Sequence, residues 1–289
     1  MSDLSVSNRN QYYTSGTEAD TLLAIANEMW DLRGSKVLDP SVGAGAFPKA
    51  GMRMGLGIRW VTNELYPDNS NWNADTQRDF LEMAPGEKYD AVISNPPYTG
   101  YGEVDGVRYP LYEAFLHHAL KHTDRVAYVM PLPILKRRVL ARLPEGVELV
   151  GWTAPKRNPY LLGGYGTDET QEVATTLAFF ERTGAPRLAY DGMPPEGLEW
   201  LPDRHPEATH AITSWGAVGQ TRCLRKRWGA VFPSASEHYA RITSIEVEAL
   251  LATDAIAQHM KLFSSASPSG SKEEIAHCLN VMLKASAPG

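Results

Sequence analysis

Short apolar runs that each end in polar or proline residues set the fold of this chain: KVLD at 36–39, IRWVTNE at 58–64, YDAVIS at 89–94 and RVAYVMP at 125–131. Between them lie segments with apolar residues at helical spacing. Strands that alternate with helices in this way build βαβ units around a mostly parallel sheet, so the fold class expected is α/β. Residues 17–30 place Leu22, Leu23, Ile25, Ala26 and Met29 on one helical face, with Thr17 as the expected N-cap. Residues 111–121 form a second amphipathic helix. The stretches 147–152 and 173–180 are expected as the last strands, separated by a glycine-rich loop at 161–166.

Beyond Gly184 the pattern loosens into Pro, Gly, Trp and Arg until a helix expected at 244–257. SSASPSGS at 264–271 has linker composition, and 272–284 suits a terminal helix. The expected division is a main α/β domain at 8–184, a small recognition region at 185–262, and a linker with terminal helix at 263–289.

At 289 residues, 43% hydrophobic and 21% charged, the chain can bury a full core. No apolar run is long enough to cross a bilayer and the first residues lack the order of a secretory signal, so a cytoplasmic protein is expected. Cys223 and Cys278 are far apart with no CxxC or His/Cys clustering, which gives no metal site and two free thiols. The net charge of −6 is awkward for a nucleic-acid partner, whose phosphates need a basic surface. Two local clusters run against that charge: Lys136, Arg137 and Arg138 with Arg142, and Arg222 with Arg225, Lys226 and Arg227.

The strand ends carry the chemistry. Gly43 and Gly45, between a strand and a helix, allow a tight turn and close approach of the backbone to a ligand. A dinucleotide fingerprint would need a third glycine where this chain has Pro48, which disfavours nicotinamide and flavin cofactors. Asp39 is placed to accept hydrogen bonds from a cationic amino-acid moiety, and Glu64 to bind a ribose diol. An adenosine-bearing cofactor with an amino-acid arm, S-adenosylmethionine, fits both.

Asn95-Pro96-Pro97-Tyr98 follows a buried strand. Its prolines remove two backbone donors and stiffen the chain. The Asn95 side-chain oxygen and the Pro96 carbonyl can then accept both hydrogens of an amino group, and Tyr98 offers a flat face for a heteroaromatic ring.

QYYT at 11–14, DPSVGAGAF at 39–47, Glu64, DFL at 79–81 and NPPY at 95–98 together resemble the motif series of the adenine-specific DNA methyltransferases, in the order of the gamma subclass. The resemblance covers about residues 11 to 182. It implies a Rossmann-like class I methyltransferase domain. By the same resemblance, Tyr13 and Thr14 lie over the methionine end of the cofactor, Asp39, Gly43 and Gly45 cradle its amino-acid arm, and Phe47 packs against that arm. Glu64 binds the ribose, Asp79 and Phe80 contact the adenine, and Asn95, Pro96, Pro97 and Tyr98 form the site for the substrate base. Ser15 stands where the family usually has proline.

The reaction so implied is methyl transfer to the N6 amine of adenine in DNA, with the base flipped out of a duplex. A sulfonium methyl is already an activated electrophile, so alignment matters more than a general base. His117 and His118 are expected as surface or packing residues. Tyr160 or Tyr165 is expected as the second wall of the base pocket, and DNA contacts fall on the basic clusters with Trp200, Trp215 and Trp228. A recognition region this short suggests a short recognition site, weak sequence selectivity, or help from a dimer or partner subunit, and the resemblance implies a role in restriction-modification. The alternatives are an amino-methyltransferase acting on RNA or protein glutamine, and a non-catalytic subunit that binds cofactor or DNA.

Overall fold

The computed structural model describes residues 14–66, 72–154, 156–161, 170–213, 221–223, 228–229, 237–253, 256 and 270–286. The chain divides into two compact units, one of residues 1–134 with 143–187 and one of residues 135–142 with 188–289.

The first unit opens with helix α1 (Gly16–Trp30). Ser15, not Thr17, is its N-cap: the Ser15 hydroxyl accepts from the Glu18 amide at 3.2 Å. An N-cap side chain must reach the donors of the first turn from an extended backbone, and Ser15 has that geometry (φ −67°, ψ 153°). Ser15, the departure from the family pattern, thus has a structural role of its own.

Strand β1 (Lys36–Asp39), helix α2 (Ala46–Arg53), β2 (Arg59–Thr62) and β3 (Ala91–Ser94) follow. Next come a hairpin of β4 (Tyr101–Val104) and β5 (Val107–Pro110), helix α3 (Leu111–Ala119) and β6 (Arg125–Pro131). The unit closes with β7 (Gly146–Trp152), β8 (Lys156–Leu161) and β9 (Thr170–Ala185). The main sheet has the order β2-β1-β3-β6-β9-β7, with β8 also paired to β9. β2, β1, β3 and β6 are parallel, whereas β9 runs antiparallel between β6 and β7.

β3 and most of β6 are buried, as interior parallel strands covered on both faces must be. On one face Ala19, Leu22, Leu23 and Ala26 of α1 pack with Val37, Ile93, Val129 and Phe179. α3 departs from the expected amphipathic helix, since every residue from Tyr112 to Ala119 is buried. Its outer side is covered by the β4–β5 hairpin, where Val104 and Tyr109 pack against Ala114. His117 stacks on Tyr109 with ring centroids 4.2 Å apart, so it is a packing residue.

The second unit is a sheet of order β10-β14-β11-β12-β13, formed by β10 (Leu198–Leu201), β11 (His210–Thr213), β12 (Thr221–Cys223), β13 (Trp228–Gly229) and β14 (Glu237–Ile242). It also holds α4 (Arg137–Leu140), α5 (Ile245–Leu251) and α6 (Lys272–Ser286). α6 is no detached terminal helix. Its Ile275, Cys278 and Leu279 share one core with Leu198, Ile212, Ala240 and Val247. Among the described residues no helix is long and apolar enough to cross a membrane, and no group of three or more His, Cys, Asp or Glu could hold a metal ion.

Candidate active site

The strand order reverses between β1 and β3: the chain passes from β1 outward to β2, then returns to the other side of β1. In open α/β sheets such a switch point leaves a crevice at the carboxyl ends of the two strands, which is where ligands bind. Asp39 ends β1 and Ser94 ends β3, immediately before Asn95.

Asp39 is fully buried. Its Oδ1 accepts from the Ser94 hydroxyl at 2.6 Å and from the Ser41 amide at 3.3 Å, while Oδ2 has no hydrogen-bond partner. Burial pushes its pKa up to about 7 against the opposing pull of the Ser94 and Ser41 hydrogen bonds, and the nearby Glu64 carboxylate adds to the rise. The Tyr128 hydroxyl on β6 is also fully buried with no hydrogen-bond partner, and burial and the Asp39 charge raise its pKa. A buried carboxylate oxygen without a donor is costly in isolation and matches a ligand that brings a cationic N–H group. This orphaned oxygen is the test of fit for the amino-acid arm of S-adenosylmethionine, and the residues present meet it.

The glycine turn adopts the expected strain. Gly43 has φ +49° and Gly45 φ +74°, a region that favours glycine. The space beside Gly45 is taken by the Trp72 indole: a Cβ there would lie 2.4 Å from its ring. Trp72 is held over the turn by the returning segment 72–79. Asp75 accepts from the Thr62 amide and hydroxyl at 2.8 and 2.9 Å. The buried Asn63 amide donates to the carbonyls of Pro40 and Arg78, each at 3.0 Å, so it ties the turn to that segment. Glu64 follows β2, and its carboxylate accepts from the Gly43 amide at 2.9 Å and the Tyr66 amide at 3.2 Å. The expected cofactor residues Asp39, Gly43, Gly45 and Glu64 are therefore brought together.

Two other residues assigned to the cofactor, Phe47 and Phe80, are buried. Phe47 packs in the core with Ala19, Leu22 and Leu23 of α1. Phe80 is 1% exposed, enclosed by Phe115, His118 and His122 at centroid distances of 5.2, 4.8 and 5.7 Å. Its ring packs among these three side chains at the start of the turn Phe80–Glu82. Asp79 caps that turn, accepting from the Leu81 amide at 2.9 Å. Thr14 is half-buried just before Ser15, and Tyr13 lies outside the described residues.

At the acceptor tetrapeptide Pro96 is buried, and Asn95, Pro97 and Tyr98 are half-buried. The Tyr98 hydroxyl donates to Asn95 Oδ1 at 2.5 Å and approaches the Val129 carbonyl at 3.5 Å. The ring expected to stack a base is thereby fixed to the same amide that would hold the amine.

The basic cluster at 136–138 is not the exposed face expected of it. Lys136 is buried and paired with Glu274 at 3.4 Å, and Arg137 donates from two guanidinium nitrogens to the Ala189 carbonyl at 3.3 Å. Arg138 is half-buried, and its Nε is buried with no hydrogen-bond partner. Their charge is turned into the second unit because segment 135–142 packs there with α6. Trp200 is likewise a packing residue, edge-on to His238. Tyr165, Trp215, Arg225, Lys226 and Arg227 lie outside the described residues, as do the side chains of Tyr160, Arg222 and Trp228.

Sequence reasoning missed Ser41, Asn63, Trp72, Ser94 and Tyr128. Only Ser41 and Ser94 had a signal, as hydroxyls adjoining the two strand-end motifs. A separate cavity of about 180 Å³ is lined by Ser15, Thr17, Thr21, Thr153, Lys156 and Thr175 among others, and it shares no residue with the site above.

No protein-family model matches the chain. It is 36% identical over 84 residues to the type II methyltransferase M.TthHB8I of Thermus thermophilus, a stretch covering 28% of this chain and 19% of that protein. The chain thus matches about a fifth of the length of this curated relative. Among solved structures, the type I restriction-modification methyltransferase subunit of Streptococcus thermophilus aligns at TM-score 0.46 and 18% identity, over 61% of this chain and 46% of that one. A protein of Pyrococcus horikoshii, provisionally named an RNA methyltransferase, aligns at TM-score 0.45 and 18% identity, over 61% of this chain and 89% of that one. Likeness at this level names no substrate, and what the chain itself displays is a Rossmann-like α/β sheet with its acidic and amide motifs at the switch point.

Proposed function

We propose that this chain uses S-adenosylmethionine to methylate the exocyclic N6 amine of adenine in DNA, with the target base flipped out of the duplex. The observation that carries the reading is the placement of Asp39 and Asn95 at adjacent strand ends on the two sides of the switch point, with a buried, unpartnered carboxylate oxygen on the Asp39 side. Asp39 would receive the ammonium of the cofactor, Glu64 its ribose and Asp79 its adenine amine. When bound, the cofactor supplies an activated methyl group.

The chain's own residues then have an alignment task. Asn95 Oδ1 and the Pro96 carbonyl accept the two hydrogens of the amine, and Tyr98 holds the Asn95 amide and stacks the base. Holding an amine by its hydrogens draws its lone pair out of the ring and toward the electrophile, so orientation supplies most of the rate. The motif series supports DNA as the substrate, and the short likeness to a type II methyltransferase supports methyl transfer as the reaction.

A second reading, amino-methylation of RNA or of a protein glutamine, is favoured by the net charge of −6 and by the burial of Lys136. Incubation with methyl-labelled cofactor and unmethylated DNA, followed by digestion to nucleosides, should yield labelled N6-methyl-2′-deoxyadenosine. Label confined to RNA or protein would replace the first reading with the second. Asn95→Ala should lower turnover by at least roughly 100-fold while leaving cofactor affinity within a few-fold. A non-catalytic subunit would show no transfer in either protein.

A further inference from the structure

The Asp39 carboxylate is joined to the acceptor strand by hydroxyls alone. Ser94 Oγ lies 2.6 Å from Asp39 Oδ1, Ser41 Oγ lies 2.8 Å from Ser94 Oγ, and Ser41 Oγ lies 3.2 Å from the Asn95 carbonyl oxygen. A serine hydroxyl carries one hydrogen, and a carbonyl can only accept. The chain of contacts therefore has two polarities.

When Asp39 is ionised, Ser94 gives its hydrogen to the carboxylate, as the 2.6 Å distance suits. Ser41, no longer offered a hydrogen by Ser94, then divides its own hydrogen between Ser94 and the Asn95 carbonyl, so its hold on that carbonyl weakens. When Asp39 carries a proton on Oδ1, that proton goes to Ser94, Ser94 donates to Ser41, and Ser41 donates to the Asn95 carbonyl. No hydrogen is gained or lost within the serine pair in either arrangement.

We propose that Ser41 and Ser94 are positioning residues that form a hydrogen-bond relay, through which the charge on Asp39 decides how firmly Ser41 holds the Asn95 backbone. This deepens the reading of the site as a methyltransferase centre, on which it rests. A cationic ligand group at Asp39 would favour the ionised polarity, so filling the cofactor side would be felt at the acceptor side through three contacts. The charged group acting on Asp39 is Glu64 from the end of β2, the titratable Tyr128 hydroxyl on β6 feels the Asp39 charge in turn, and the side-chain and backbone donors to the carboxylate come from Ser94 and Ser41. Burial places the Asp39 transition at about pH 7, where both polarities are populated.

The relay can be read without any ligand. Labelling with 13C-carbonyl asparagine and 15N-proline reports only the Asn95–Pro96 and Asn158–Pro159 bonds in a carbon-detected spectrum. Between about pH 5.5 and 8.5, a window that brackets the Asp39 transition, the Asn95 carbonyl should shift with a midpoint close to that transition. Ser41→Ala and Asp39→Asn should each abolish that shift, and Ser41→Thr, which keeps the hydroxyl, should restore it. A pH-invariant Asn95 carbonyl in the unaltered protein, or an equal shift in Ser41→Ala, overturns the relay. If Ser41→Ala does not fold, Asp39→Asn and Ser41→Thr decide the matter.

A second arm separates the relay from the functional reading. Calorimetry with S-adenosylhomocysteine at about pH 6.5, in buffers of different ionisation enthalpy, should show release of a fraction of a proton. If that ligand does not bind, the methyltransferase reading fails while the spectroscopic arm still judges the relay. If it binds with no proton release, the coupling to Asp39 is refuted.

Discussion

Asp39 destabilises the fold that displays it. In the unfolded chain its carboxyl ionises near its ordinary value of 3.8, and in the folded protein burial holds it at about 7. Between these values the folded state binds more protons than the unfolded state, so this group's contribution to stability falls as pH rises through that window and is lowest above pH 7. The cost is of order 4 kcal/mol once the group is fully ionised, at about 1.4 kcal/mol for each tenfold change in proton affinity. Asp39→Asn removes the charge and keeps the shape. The difference in melting temperature between this variant and the unaltered protein should swing in favour of the variant from about pH 5 to about pH 8, while affinity for S-adenosyl ligands drops. A difference that does not change with pH would mean that Asp39 is ionised without penalty, and its unmet oxygen would no longer point to a ligand. Asp39 and Asn95 were legible in the sequence because each ends an apolar run. Asn63, Trp72 and Tyr128 were not. Trp72 meets Gly45 only after α2 and β2 have been laid down between them, and Tyr128 feels the charge of a carboxylate from a different strand, so their roles exist only after the sheet has formed.

The elements show the same division between local and long-range signals. β1, β3 and β6 were found because an interior parallel strand is a continuous apolar run with no alternation to confuse it. The β4–β5 hairpin was not, since YGEV and VRYP have no apolar run and become strands through pairing and packing on α3. The five-stranded sheet of the second unit was missed for a like reason: its strands are two to six residues long, and a stretch that short carries too few residues to show a period. Packing of the hairpin bears on the site. Gly102 faces inward, where a Cβ would lie 2.5 Å from Leu81 Cδ1 and 2.8 Å from Ala114 Cβ. Leu81 belongs to the turn capped by Asp79. Gly102→Ala should therefore cost about 1–3 kcal/mol of stability by overpacking, and should weaken cofactor binding several-fold by displacing that turn. Gly106→Ala at the hairpin tip is the control, strained at φ +75° but with open space around it. It should lower the melting temperature slightly and leave binding unchanged. Equal binding in both variants would sever the hairpin from the cofactor side.

At the scale of the whole molecule, the chain leaves the first unit at residue 135, contributes one short helical segment to the second, and returns at residue 143. That excursion is held by charge. Lys136 and Glu274 are buried at 6% and 9% side-chain exposure and pair at 3.4 Å, and Glu274 also accepts from the Ser271 amide at 2.8 Å ahead of α6. Removing one partner of a buried pair leaves an uncompensated charge and costs about 3–5 kcal/mol, whereas replacing both by apolar residues of similar volume can be neutral. Lys136→Met should therefore loosen the second unit selectively. Amide exchange should accelerate in α6 and β14, while β3 and β6 in the first unit keep their protection, because each unit has its own core. Lys136→Met with Glu274→Leu should recover most of the lost protection. If the single variant exchanges faster throughout the first unit as well, the two units unfold as one, and the segment at 135–142 is the link that makes them cooperative.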